Sequence, residues 1–343
     1  MFSFFSRKGP VTAHINAVPV TVNPKETLLQ AALRQGIDFP HSCRVGGCAT
    51  CKCKLVSGKV RELTQTSYIL SDDDLDQGYI LACQAVPQGD VRVEVDLSAQ
   101  AAKRKVGGRV IGQEQLTDDI VRLRVQLDES LPYKAGQFAE IGIDALPGMS
   151  RSYSFATPPQ PDAQVSFFVR KVAGGRFSSL INEVDVRGRT MHIEGPMGDF
   201  WLRPSEAPLL LIAGGSGLAP ILAMMRDALN NGVIRRVTLL FGARTQADLY
   251  ALDEIKEIAA QWPELFRFVP VLSQEPASSD WQGRRGLVTE QIGALLERGA
   301  HAYLCGPPAM IDKAMDILMG HGVPRDHIHA DRFTTLQDQV ALA

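Results

Sequence analysis

His41-Ser42-Cys43-Arg44-Val45-Gly46-Gly47-Cys48-Ala49-Thr50-Cys51 places three thiols on one glycine-rich loop, and Cys83 adds a fourth farther along the chain. Cys-x4-Cys-x2-Cys followed by one distant cysteine is the spacing with which four thiolates hold a plant-type [2Fe–2S] cluster. Gly46 and Gly47 permit the positive φ angles that wrap a loop around such a cluster. They also let backbone N–H groups approach the sulfurs. Zinc sites more usually pair Cys-x2-Cys or Cys/His sets, and disulfides need an oxidising compartment that nothing else in the chain suggests. Cys53 lies outside the spacing and reads as a buried thiol on the next strand.

The surrounding sequence supports a small domain over 1–97. Residues 11–22 read as two short strands. Thr27-x-x-Gln30 has the form of a capping box, and Leu28, Leu29, Ala32 and Leu33 recur at helical spacing up to Gly36. Cys53–Val56 and Val91–Val95 supply further strands, so a small sheet crossed by one helix carries the loop at its edge. Asp72-Asp73-Asp74 reads as a solvated turn or helix start with a secondary possibility of docking a basic partner. The polar, small-residue stretch 98–106 has the composition of a linker.

From 107 to 205 short alternating runs (Arg109–Ile111, Ile120–Leu127, Phe138–Ile143, Val165–Val169, Thr190–Ile193) between Pro/Gly turns predict a small antiparallel barrel. On one barrel strand Arg151-Ser152-Tyr153-Ser154 offers a guanidinium for a pyrophosphate, a ring to stack and a hydroxyl for a ring nitrogen, though such residues also occur as plain strand surface. Gly174-Gly175-Arg176-Phe177-Ser178-Ser179 leads into a short helix and forms a second candidate phosphate cradle.

From 206 to 343 strand and helix alternate, which predicts a five-stranded, parallel, doubly wound sheet. Gly214-Gly215-Ser216-Gly217 follows its first strand and opens its first helix, with Pro220 in that helix's first turn. Cys305-Gly306-Pro307 ends the fourth strand. In the order 3-2-1-4-5 the two motifs meet at the switch point where such sheets bind ligands, so a nicotinamide dinucleotide is favoured over plain turns. Helices are expected near Leu252–Ala260, Thr289–Glu297 and Met310–Met319, with His321, His327 and His329 read as surface residues.

Composition bounds the function. A net charge of −2, 45% hydrophobic and 22% charged residues describe an ordinary folded protein without a nucleic-acid footprint. No apolar run reaches the length of a membrane span, and Met1–Lys8 is too short for a signal peptide. Six cysteines, four in one metal pattern, point to a reducing cytoplasm. The chain lacks the Cys-x-His pair of a Rieske centre and the Glu-x-x-His repeat of a di-iron bundle.

Taken together, these motifs resemble the NADH-dependent reductase components of bacterial multicomponent oxygenases, of the phenol hydroxylase and benzoate dioxygenase type. The resemblance implies a β-grasp ferredoxin domain, a six-stranded FAD-binding barrel and an NAD-binding domain. It further implies that Cys43, Cys48, Cys51 and Cys83 ligate the cluster. Arg151, Ser152, Tyr153 and Ser154 would bind FAD with Gly174, Gly175, Ser178, Ser179 and Phe333, Tyr153 lying against the isoalloxazine and Ser154 near its N5. Gly214, Gly215, Ser216, Gly217, Cys305, Gly306 and Pro307 would bind NADH. Ser154 and Cys305 would stand at the reacting centre. Electrons would pass from NADH through FAD and the cluster to a terminal oxygenase or hydroxylase, or to another one-electron acceptor protein. The same module also serves desaturases, membrane hydroxylases and deoxysugar dehydratases, and a rival reading is a non-catalytic redox sensor or carrier. Relatives that prefer NADPH place Ser-Arg after the third strand of the last sheet. Here the pair is Ser273-Gln274, with Arg284 and Arg285 nearby, and Gly242-Ala243-Arg244-Thr245 with Asp248 also resembles the NADH-using branch.

Overall fold

The computed structural model describes residues 9–41, 46, 49–64, 66, 69–70, 72–95 and 104–333, with backbone alone at 72 and 73. It divides into two units at Ala101/Ala102.

In the first unit, β1 (Val11–Ile15) and β2 (Val18–Val22) form a hairpin, and α1 (Leu28–Arg34) follows. Thr27 and Gln30 close the expected capping box on α1: Gln30 N donates to Thr27 Oγ1 (3.2 Å) and Thr27 N to Gln30 Oε1 (3.0 Å). Leu28, Leu29, Ala31 and Ala32 put the helix's apolar stripe into the core. β3 (Lys52–Ser57), β4 (Val60–Glu62), α2 (Asp72–Asp76), β5 (Tyr79–Leu81), β6 (Ala85–Pro87) and β7 (Val91–Glu94) complete it. The sheet order is β2-β1-β7-β3-β5, with β1 and β7 parallel and α1 packed across, which is the β-grasp arrangement. The acidic run opens α2, and Asp74 pairs with Lys52 (2.9 Å).

The second unit starts with a barrel. Its strands are β8 (Arg104–Thr117), β9 (Ile120–Leu127), β10 (Phe138–Ile143), β11 (Ser150–Ser154), β12 (Gln164–Arg170) and β13 (Thr190–Met197), with α3 (Arg176–Glu183) between the last two. The order β11-β10-β13-β8-β9-β12 closes through a Phe155–Phe167 bridge. β8 is far longer than the run Arg109–Ile111 that alternation marks, because two register shifts against β9 break the period-2 pattern. It also begins at Arg104, so the last three residues of the expected linker 98–106 are strand paired with β13.

Beyond the barrel come β14 (Leu209–Gly214), α4 (Leu218–Asn230), β15 (Val237–Ala243), α5 (Leu252–Gln261), β16 (Phe266–Leu272), β17 (Arg284–Arg285), α6 (Ile292–Leu295), β18 (His301–Gly306), α7 (Pro308–Gly320) and β19 (Ile328–Arg332). The five expected strands are parallel and lie in the order 3-2-1-4-5, and β17 adds a sixth, two-residue strand beside β16. Every residue of β14 is buried, as befits a central strand covered on both faces.

Two expectations change here. The helix expected over Thr289–Glu297 is a 3-10 turn, Val288–Gln291, followed by the single turn α6. Gly293 lies there, and a Cβ on it would stand 2.9 Å from His321 Nε2, so a side chain would require the exposed His321 ring to shift. Of the three histidines read as surface residues, only His321 is exposed. His327 stacks on His301 (ring centroids 4.1 Å apart) and His329 on Tyr303 (4.6 Å), both half-buried. Burial, reinforced by the positive charge of Arg203, pushes the His329 pKa down to about 3.

Candidate active site

Two of the four cysteines expected to hold a cluster, Cys51 and Cys83, fall among the described residues; Cys43 and Cys48 lie outside them. Cys51 precedes β3 and Cys83 follows β5, and antiparallel pairing of β3 with β5 brings them together. Cys83 N donates to Cys51 Sγ (3.5 Å), and Ala82 N donates to the Cys51 carbonyl (3.0 Å). Both sulfurs are buried and both receive N–H groups, Cys83 Sγ from Gln84 Nε2 (3.5 Å). That environment suits thiolates bound to iron, whose negative charge needs donors in the absence of water. Cys53 points into the core from β3, where burial and then the charge of Cys83 push its pKa up to about 12, so it stays a thiol.

In the second unit, β11 carries Arg151 and Ser152 exposed, Tyr153 half-buried and Ser154 buried. Tyr153 leans on Phe177 (centroids 5.7 Å apart, 33° between planes), which fixes its ring, and burial raises its pKa. The phenol is therefore neutral and its face available for stacking. Gly174 adopts φ +72° in the turn that opens α3. The Ser178 hydroxyl accepts from Val172 N (3.1 Å) and donates to the Gly175 carbonyl (3.1 Å), so it braces this turn. No side chain caps α3, which leaves its first N–H groups to an anion.

Gly214 ends β14 and the 3-10 turn Gly215–Gly217 leads into α4. Gly215 takes φ +53°, and a Cβ on Gly217 would run into the Cys305 carbonyl. A Cβ on Gly214 would stand 2.7 Å from Met310 Sδ and 3.1 Å from Pro307. The turn after β14 and the Cys305-Gly306-Pro307 segment at the end of β18 are thus pressed together, as adjacent parallel strands require. Cys305 is fully buried (0% exposed), and burial, then the charge of Asp331, drives its pKa upward. Asp331 pairs in register with Cys305, and the Ser154 hydroxyl donates to Asp331 Oδ2 (3.4 Å). Ser154 and Cys305, from different folds, therefore meet around one carboxylate. Phe333 follows, its N–H donating to the Gly306 carbonyl (2.9 Å).

Other residues also meet at this junction, and of these only Arg244 and Asp248 stood out in the sequence. Tyr250 is 4% exposed, and its hydroxyl donates to the Gly215 carbonyl (2.8 Å). Its ring meets Phe168 of the barrel and Phe241 of β15 edge-on. Asp119, in the β8–β9 turn, accepts from Arg170 Nε (3.1 Å) and Arg244 Nη2 (3.1 Å), and Arg244 also pairs with Asp248. Arg170 Nη1 would lie 3.4 Å from a Cβ on Gly215, so a cation flanks the glycine turn. On another side Glu254 binds both Arg122 and Arg226. Each of these residues is commonplace by itself, and no local spacing ties Asp119 to Arg244 or Tyr250 to Gly215. Arg285, held by Trp281 O (2.8 Å), Ser279 Oγ (2.9 Å) and Pro276 O (3.2 Å), is occupied by its own loop.

The family models for the 2Fe-2S iron-sulfur cluster binding domain (residues 13–88), the oxidoreductase FAD-binding domain (108–201) and the oxidoreductase NAD-binding domain (211–316) match in that order. The xylene/toluene monooxygenase electron transfer component of Pseudomonas putida is 42% identical over 90% of this chain and 89% of its own. The phenol 2-monooxygenase reductase component of a Pseudomonas species is 36% identical over 96% and 95%. This chain belongs to the reductase components of multicomponent oxygenases. A solved structure described as the ferredoxin reductase in carbazole 1,9a-dioxygenase superposes with a TM-score of 0.68 at 30% identity, covering 95% of this chain and 98% of that one. The oxygenase reductase is an NADH-dependent oxidoreductase that uses FAD and a [2Fe–2S] cluster and passes electrons to a partner oxygenase component. Among the described residues no helix of this reductase is long and apolar enough to cross a membrane.

Proposed function

We propose that this reductase feeds the terminal component of a monooxygenase acting on an aromatic hydrocarbon, working in the cytoplasm. The 42% identity to the xylene/toluene component supports the first part. The buried thiols Cys53 and Cys305 suit the reducing interior.

In this reading Cys43, Cys48, Cys51 and Cys83 hold the cluster, in a domain over 1–97. Arg151, Ser152, Tyr153, Ser154, Gly174, Gly175, Ser178, Ser179 and Phe333 hold FAD, in a barrel over 107–205 reached through the linker. Gly214, Gly215, Ser216, Gly217, Cys305, Gly306 and Pro307 hold NADH, in a domain over 206–343. Ser178 acts by bracing the turn whose N–H groups meet the FAD phosphates. Arg170 supplies a cation to the NADH phosphates beside Gly215. Bound FAD converts the nicotinamide's two-electron chemistry into the one-electron chemistry of the cluster.

The observation that carries the reading is the meeting of Ser154 and Cys305 around Asp331, since it sets the barrel edge against the end of β18. An anaerobic titration with NADH and separately with NADPH, followed by visible absorption and low-temperature EPR, tests it. Bleaching of flavin and cluster bands by NADH, with a reduced-cluster EPR signal, is expected. Flavin reduction with an intact but oxidised cluster would refute the electron path.

A further inference from the structure

Gln84 stands next to the fourth cysteine and is itself 5% exposed. Its backbone is fixed at both ends of the peptide: the N–H donates to Leu81 O (2.9 Å) and the carbonyl accepts from Leu63 N (2.8 Å). The side chain is fixed as well. A Cβ on Gly46 would lie 2.8 Å from Gln84 Cγ, 3.1 Å from Cδ and 3.2 Å from Thr64 Oγ1. The glutamine stem therefore packs directly against Gly46, whose φ of +78° belongs to the loop between Cys43 and Cys51. Held there, the amide presents Nε2 to Cys83 Sγ at 3.5 Å, in a buried setting. Only the NH2 side of an amide suits a thiolate, because the carbonyl oxygen would repel it.

A donor aimed at a cluster sulfur favours whichever oxidation state carries more negative charge, which is the reduced one. Low local dielectric enlarges the effect, and water does not compete for a buried sulfur. We propose that Gln84 tunes the [2Fe–2S] cluster, raising its reduction potential through the Nε2–H···Sγ contact with Cys83. The inference rests on the assignment of Cys83 as a ligand. Gln84 is a tuning residue and touches no reacting substrate. It also accounts for Gly46, since any side chain at that position would displace the glutamine stem and its amide.

The test uses the full-length holoprotein with Gln84→Leu, which keeps an apolar side chain beside Gly46 and removes the donor. Potentiometric titration monitored by EPR reads the midpoint. The expected result is a normal cluster spectrum with a reduced-to-oxidised ratio, at the wild-type midpoint, lowered about three-fold to ten-fold; ten-fold is ~59 mV for one electron. A ratio within two-fold of wild type, on an intact cluster, overturns the proposal. Should Q84L fail to load its cluster, pulsed EPR on reduced wild-type protein carrying 15N in its glutamine side chains decides: a 15N coupling is expected, and its absence overturns the inference. Cys83→Ala, which leaves no donor atom, separates the underlying reading. Retention of a full cluster spectrum in C83A shows that Cys83 is no ligand, whereas its loss beside an unchanged Q84L midpoint sinks the Gln84 inference alone.

Discussion

Ser154 Oγ lies 3.4 Å from Asp331 Oδ2, joining the last residue of β11 to the edge strand of the nucleotide-binding sheet. At that length the hydroxyl is oriented more than bound, so it can turn to a ligand atom without breaking a strong bond. Ser154→Ala is expected to lower kcat for NADH oxidation with ferricyanide by about ten-fold with little change in KM, the pattern of a contact made in the transition state. Asp331→Asn gives a smaller loss, and the double variant matches S154A, because both act on one hydroxyl. Steady-state kinetics on the four proteins checks this. Additive losses would show that Asp331 acts independently of Ser154.

Tyr250→Phe keeps the ring against Phe168 and Phe241 and removes only the hydrogen bond to the Gly215 carbonyl. One such bond contributes about 1 kcal/mol, so KM for NADH should rise about five-fold with kcat nearly unchanged. Burial raises the phenol's pKa, so the effect should not vary between pH 6 and about pH 9. NAD+ binding by calorimetry provides the independent measure.

Gly217→Ala places a methyl group against the carbonyl of Cys305, where backbone cannot give way as a flexible side chain would. Overpacking of this kind costs about 1–3 kcal/mol and pushes apart the segments after β14 and β18. The expected variant binds FAD normally, melts several degrees lower and loses most NADH oxidation. Normal NADH kinetics would show that the close approach has no functional role.

His329 gives a pH dependence with a definite sign. Its pKa falls from 6.5 in the unfolded chain to about 3 in the folded one, so the unfolded state binds more protons between those values. The contribution to stability is complete above about pH 6.5 and shrinks as pH falls, by ~2 kcal/mol at about pH 5. Thermal midpoints of the wild type and of His329→Phe, which keeps a ring on Tyr303, should converge or cross as pH is lowered. Parallel curves would rule out His329 as the titrating group.

How far the sequence disclosed this molecule depended on whether a function sits in contiguous residues. The Gly214–Gly217 turn and the alternation of strand and helix are local, and the structure shows the turn after β14 and the five parallel strands in the expected order, with the helix near Thr289–Glu297 reduced to two short turns. The Thr27–Gln30 capping box is equally local. Asp119, Arg170 and Tyr250 were illegible because their meaning arises only after the barrel and the parallel sheet meet. His329 misled for the same reason: its partner Tyr303 comes from the neighbouring strand β18. The register shifts in β8 hid its length, since alternation fails wherever a bulge intervenes.

The paired carboxylates Asp119 and Glu254 bear on how parts of such reductases can be exchanged. Asp119 grips an arginine from each fold, and Glu254, on α5, grips Arg122 of β9 and Arg226 of α4. A hybrid that replaced residues 209–333 with those of a relative would break both grips across the junction unless Asp119 and Arg122 found matching partners. Barrel and nucleotide fold are therefore inherited as a matched couple, and transplantation should succeed when the cut spares the whole of Arg104–Phe333.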